Sequence, residues 1–181
     1  MPEPSHWRVQ DRFLELRSRW TTLIGEHLET EQGEQLEYWR VERADSAIVL
    51  PIHRDALLLP APMYRPGISA ATWDFPGGRV PAGETPIHVA PRILRKELGV
   101  APSAIAQITP LNETGWAVNS SFSNQRLYGF VAQLQPEATL LPTAVSYPLT
   151  ETGLRDLLQL LTCLQCRAVL LEWLLSRRSS H

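Results

Sequence analysis

"FPGGRVPAGETPIHVAPRILRKELGV", residues 75–100, decides how the rest of this chain is read. A diglycine follows an aromatic residue, Gly83-Glu84 closes a short loop, and Thr85-Pro86 then supplies a helix start. The threonine offers an N-cap hydroxyl, and proline at the first helical position loses no ladder hydrogen bond. Gly99 is a natural stop, because glycine takes the left-handed conformation that ends a helix. The stretch therefore predicts a strand, a glycine loop and a helix whose N-terminus faces an anionic ligand. Pro91 conflicts with that helix: it lacks an N–H for the ladder and predicts a bend or loosening worth about 3 kcal/mol unless the geometry adapts.

On such a helix, positions 93, 96 and 97 share one face, since residues three and four apart are neighbours. They carry Ile93, Lys96 and Glu97. This face carries one carboxylate, Glu97, beside a cation and an apolar residue.

Outward from the motif, Ala47–Ile52 and Ala56–Pro60 are continuous apolar runs split by His53-Arg54-Asp55, as expected of buried strands joined by a tight turn. Residues 20–30 and 35–42 read as a hairpin about the turn at 31–34. Val9, Phe13, Leu14 and Leu16 have helical spacing, so residues 7–17 are expected to form an N-terminal amphipathic helix. Residues 61–72 read as a loop, Trp73-Asp74-Phe75 as a short strand, and 106–111 and 126–134 as strands. A proline-marked loop follows from about 135 to 149. Leu154, Leu157, Leu158, Leu161 and Leu164, continued by Ala168, Leu171 and Leu175, predict one core-facing helical tail from about 151 to 177. The organisation expected is a helical extension over 1–17 and a single domain over 18–181.

The spacing of Gly78, Glu84, Arg92, Leu94, Glu97, Gly99 and Val100 resembles the box of the Nudix hydrolases, which here spans 78–100. That box runs glycine, five residues, Glu, seven residues, then Arg-Glu-aliphatic-any-Glu-Glu-any-Gly-aliphatic. The Tyr38-Trp39-Arg40-Val41 strand, Met63-Tyr64-Arg65 and the leucine-rich tail are similar to the ADP-ribose and ADP-sugar pyrophosphatase branch. The resemblance implies an α/β fold, a mixed sheet between helices, and a homodimer built on the N-terminal hairpin. It implies that Gly78, Glu84, Arg92 and Gly99 brace loop against helix, and that Glu97 and the Gly77 carbonyl hold Mg²⁺ or Mn²⁺. Arg65, Tyr64 and Lys96 become candidate substrate-binding groups, and Glu137 the candidate for a catalytic acid supplied from beyond the box. The departures at Ile93 and Lys96 leave three readings. One is a divergent protein that recognises a nucleoside diphosphate linked to another moiety, ADP-ribose-like, with hydrolysis weakened or lost. The second is an active pyrophosphatase releasing AMP and a sugar phosphate, its metal weakly bound. The third is a non-catalytic protein-interaction module.

Composition narrows the remaining classes. With 181 residues and 44% hydrophobic content, the chain is long enough to bury a substantial core. Lys plus Arg is 17 against 19 acids, a net charge of -2, so nothing favours nucleic-acid binding. Residues 1–8 lack the basic-then-apolar run of a secretory signal, and no stretch is apolar enough for a membrane span; a cytoplasmic protein without membrane partners is expected. Cys163-Leu-Gln-Cys166 has the spacing of metal knuckles and redox motifs, but no second ligand pair follows, and reduced, partly buried thiols are the plainer reading. His53 and His88 are isolated histidines, Trp39 and Trp116 are candidates for stacking on a nucleotide that read more plainly as packing aromatics, and Ser120, Ser121 and Ser123 have no His-acid partners in the pattern.

Overall fold

The computed structural model describes residues 7–178, which gather into two compact units. The first contains the chain up to Ala44 together with Ala117–Arg126; the second contains Asp45–Trp116 and the chain from Leu127 onward.

The first unit is an antiparallel sheet of β1 (Arg8–Arg17), β2 (Thr22–Glu29) and β3 (Gln35–Glu42), in that order. The expected hairpin is therefore present, whereas the expected helix over 7–17 is a strand. The reason lies in its register. Two irregularities, between Val9 and Asp11 and between Arg12 and Leu14, break the two-residue alternation of β1. Val9, Arg12 and Glu15 consequently lie opposite Leu28, Glu26 and Ile24, while Leu14 and Leu16 lie opposite Gly25 and Leu23, so the apolar residues of β1 do not show the alternation of a regular strand. Phe13 caps Gly25, where a Cβ would stand 2.5 Å from its ring, and meets Trp39 edge-on at 5.3 Å. Glu26, 2% exposed, is held by Arg12 (Nη2, 2.9 Å) and Arg40 (Nε, 2.9 Å). Hydrogen bonds from Arg40 and then Arg12 outweigh its burial and hold its carboxyl below the usual carboxylate range.

The second unit is built around β4 (Ser46–His53), whose residues between the two ends are all buried. It runs parallel to β11 (Arg126–Leu134), with Ser46 opposite Leu127 and Ile52 opposite Gln133, and β9 (Ile105–Pro110) adds antiparallel to β11. The other edge of β4 changes partner along its length. Near its start it pairs with β8 (Gly77–Arg79), and at its end with β5 (Ala56–Leu59), which in turn carries β12 (Val145–Pro148). The short β6 (Met63–Arg65) and β7 (Ala70–Thr72) form a hairpin where a plain loop was expected. Residues 73–75 are extended without pairing, so the strand expected there sits instead at Gly77–Arg79. A two-residue β10 (Trp116–Ala117) lies where the chain leaves this unit.

Helices cover both faces of the mixed sheet. From α1 (Pro86–Leu98), Val89, Ala90, Ile93, Leu94 and Leu98 join a core with Ala47, Val49, Phe130 and Ala132. On β11, a Cβ at Gly129 would stand 3.3 Å from Val169, so α3 (Leu164–Arg178) approaches closely there. Burial on both sides explains the unbroken apolar run of β4. The single helical tail is in fact α2 (Glu151–Leu160) and α3, interrupted at residues 161–163. Arg167 donates to the carbonyls of Leu158 and Leu161, satisfying acceptors that the end of α2 leaves open. The interruption resets the helical phase: Val169, Leu170 and Trp173 are buried, while Leu164, Leu171 and Leu175 face outward. Among the described residues, no helix is long and apolar enough to cross a membrane.

Candidate active site

The glycine loop is fixed by its ladder to β4. Val49 N–H donates to Pro76 O (2.9 Å) and Val80 N–H to Asp45 O (2.8 Å), with Gly77 opposite Ile48 between them. Antiparallel pairs alternate between hydrogen-bonded and open positions, so Gly77 occupies an open one and turns its carbonyl away from β4. That oxygen is therefore not consumed by the ladder.

Helix α1 faces this loop. Thr85 takes the extended backbone of an N-cap with Pro86 at N1, although its hydroxyl makes no capping bond. The helix continues through Pro91 and ends at Gly99, which adopts φ 73° and donates its N–H to Arg95 O at 3.1 Å. Glu84 and Arg92 form the expected brace, Nη2 to Oε2 at 2.5 Å, on the surface. Pro91 thus costs α1 a hydrogen bond without ending it.

Ile93 is 4% exposed and packs on the loop: a Cβ at Gly78 would lie 3.0 Å from its Cγ1. A methyl-rich side chain thus occupies the ground between helix and loop. Lys96 extends into solvent, 83% exposed, with Nζ 4.0 Å from Glu97 Oε1. Glu97 is largely enclosed, and burial raises its carboxyl above the ordinary range; Lys96 and Arg65 pull it back, and Asp74 adds to the rise. The charges acting on Glu97 thus bring Arg65 and Asp74 into its surroundings.

Arg65 is itself held by Asp74, with Nη2 and Nε at 2.6 and 2.8 Å from Oδ2. Thr72 Oγ1 donates to the same oxygen at 2.9 Å. Tyr64 precedes Arg65 in β6, so its exposed ring projects to the opposite face of the hairpin. The two do not converge on one point. Glu137 is not brought to the cluster. It lies on an exposed turn next to Pro136, whose carbonyl is contacted by His53 and Arg54 at the end of β4. Gly77 pairs five residues away at Ile48, roughly 17 Å along the strand.

Asp74 is the member of this cluster that the sequence did not single out. The available signal was an acid three residues before the diglycine, concealed by reading 73–75 as a strand. Asp74 also stands beside the two thiols. Its Oδ1 is 3.8 Å from Cys166 Sγ, and one ligand atom each from Asp74, Cys163 and Cys166 lie within 4.8 Å of one another. Hydrogen bonds from Cys166, both its thiol and its amide, and from the Gln165 amide bring the Cys163 thiol down to about 6 against the opposing effect of burial. The same thiol pairing, with burial, pushes Cys166 up.

Chemically, the cluster presents the enclosed Glu97 carboxylate, the Gly77 carbonyl, and the cations Lys96 and Arg65, the latter paired with Asp74. The charges at 93, 96 and 97 sum to zero, and an isoleucine fills the position closest to Gly78. Mg²⁺ is commonly held by one or two carboxylates, with water and phosphate completing its near-octahedral coordination, and Glu97 and the Gly77 carbonyl are the oxygen donors this face offers it. The cationic groups suit a phosphate better than a metal.

The comparisons with known proteins agree with this framework. The NUDIX domain model matches residues 42–147, more than half of the chain. Among solved structures, one described as the crystal structure of an ADP compounds hydrolase superposes with a TM-score of 0.75. It is 21% identical and matches 96% of this chain and 95% of that one, a likeness of fold. No curated protein matches this chain in sequence. The chain belongs to the NUDIX domain family.

Proposed function

We propose that this NUDIX protein recognises a nucleoside diphosphate linked to a second moiety, ADP-ribose-like, and that its metal-dependent pyrophosphate hydrolysis is weakened or lost. The observation that carries the reading is Ile93, buried against Gly78 where the family's pattern has a carboxylate. With Lys96 at the next metal-binding position, the helix keeps its brace, its glycine stop and its packing, but not its acids. Arg65, fixed by Asp74, and Lys96, exposed and only loosely paired with Glu97, supply positive charge for a diphosphate. In this reading Tyr64 offers a stacking surface for a base, and Glu97 with the Gly77 carbonyl can meet a cation that arrives already bound to the diphosphate.

Residual turnover is the second reading, favoured by the enclosed Glu97 and the free Gly77 oxygen. We place the protein in the cytoplasm, in keeping with its free cysteines. We also read it as a homodimer through the first unit, whose exposed Trp7, Phe13, Trp20 and Trp39 form an aromatic-rich surface. The test is a melting-temperature screen with ADP-ribose, ADP-glucose and a panel of other nucleotides in the presence of EDTA. Stabilisation that saturates with ligand and is lost in Arg65→Ala is expected. No stabilisation by any nucleotide would favour a protein-interaction role.

A further inference from the structure

We propose that Cys163, Cys166 and Asp74 form a binding site for a single soft divalent cation of the zinc class, with donors distinct from those of the Gly77–Glu97 site.

The placement of the three donors carries the argument. Cys163 immediately precedes α3 and Cys166 lies within its first turn, so the three-residue spacing brings both sulfurs to the same end of the helix. Asp74 comes from the segment between β7 and β8. Its two oxygens are divided: Oδ2 takes Arg65 and Thr72, which orients the carboxylate, and Oδ1 is directed at the thiols. A disulfide needs only the two sulfurs and gives no reason for an oriented carboxylate oxygen beside them. A cation needs all three.

The dimensions are close to those of a tetrahedral ion. Zinc bonds of about 2.3 Å to sulfur and about 2.0–2.2 Å to oxygen set the donors roughly 3.5–3.8 Å apart. The Cys166–Asp74 pair already stands at 3.8 Å, and the whole set, within 4.8 Å, closes with about 1 Å of side-chain rotation. On binding, both thiols release their protons to solvent, two metal–sulfur bonds and one metal–oxygen bond form, and water completes the fourth position. The two thiolates and the carboxylate leave the occupied site with one net negative charge, and Arg65 supplies the balancing cation.

The test is a Co²⁺ titration of the reduced, metal-stripped full chain. One equivalent should bind, with a thiolate-to-cobalt absorption in the near ultraviolet and the visible bands of tetrahedral cobalt, both displaced by Zn²⁺. Cys163→Ser and Cys166→Ser should each remove the thiolate absorption, and Asp74→Asn, which removes a ligand, should weaken binding by at least the about 10–100-fold that loss of an outer-shell partner costs. Glu97→Gln should bind cobalt as the wild type does, which separates this site from the box. Comparable melting temperatures of the metal-free forms show that the cysteine variants still fold. The proposal is overturned if cobalt fails to bind at one equivalent, if the cysteine variants bind it unchanged, or if Glu97→Gln abolishes it. Reduced protein that ignores cobalt yet closes a Cys163–Cys166 disulfide on mild oxidation would also overturn it.

Discussion

Replacing Ile93 and Lys96 together by glutamate tests whether the box has lost only its acids. Ile93 is 4% exposed and packs on Gly78, so its removal sacrifices burial worth about 1.5–3 kcal/mol. A carboxylate in its place must be desolvated beside Glu97, which adds to that cost. Lys96 is 83% exposed and its replacement contributes little. The double variant should therefore be about 2–4 kcal/mol less stable than the wild type in EDTA, a fall of roughly 4–16 °C in melting temperature for a chain of this size. Millimolar Mg²⁺ should restore much of that loss in the variant while leaving the wild type unmoved, because only the variant has three carboxylates on one helical face. AMP release from ADP-ribose should appear with the same Mg²⁺ dependence. If the variant melts with the wild type in EDTA, Ile93 does not pack as described. If Mg²⁺ returns neither stability nor turnover, the missing acids are not what separates this helix from a metal site.

Three other outcomes follow from the structure. Glu26→Gln should lower stability in urea denaturation, because Arg12 and Arg40 lose the carboxylate that pairs them, by less than a fully buried pair would cost since both guanidiniums reach solvent. The Glu26 carboxyl titrates below its unfolded value, so its stabilisation is present above about pH 4.5 and lost as pH falls through the folded pKa; the acid limb of the stability curve should flatten in the variant. Glu97 has the opposite sign. Its raised pKa gives a contribution present below the unfolded value and lost as pH rises through the folded one, so Glu97→Gln should melt higher than the wild type at neutral pH and no higher at pH 3. Gly99→Ala should destabilise by at least about 1–2 kcal/mol, since φ is 73° and the new Cβ would meet Leu141 Cγ at 2.9 Å; thermal melting reads this directly.

The apolar runs at β4 and β5 were legible because burial on both faces leaves no polar alternation to confuse. Helix α1 was legible from its ends: Pro86 and Gly99 act locally, and their backbone needs do not depend on distant residues. β1 was not, because two register irregularities break the alternation by which a strand is recognised. The split between α2 and α3 was hidden by leucines that continue in phase across residues 161–163, while the interruption is held by Arg167 through carbonyls that no pattern identifies. In the site, Ile93 and Lys96 announced the anomaly by position. Asp74 did not, since its importance arises from Arg65, Thr72 and Cys166, brought together only by folding.

The most direct measurement is the rate of AMP release from ADP-ribose, at a concentration that saturates binding, by the purified chain with Mg²⁺. The account predicts bound and essentially intact ADP-ribose, with turnover far below the roughly 1–1,000 s⁻¹ of ordinary enzymes. Mg²⁺-dependent AMP release within that range, abolished by Glu97→Gln, would contradict it.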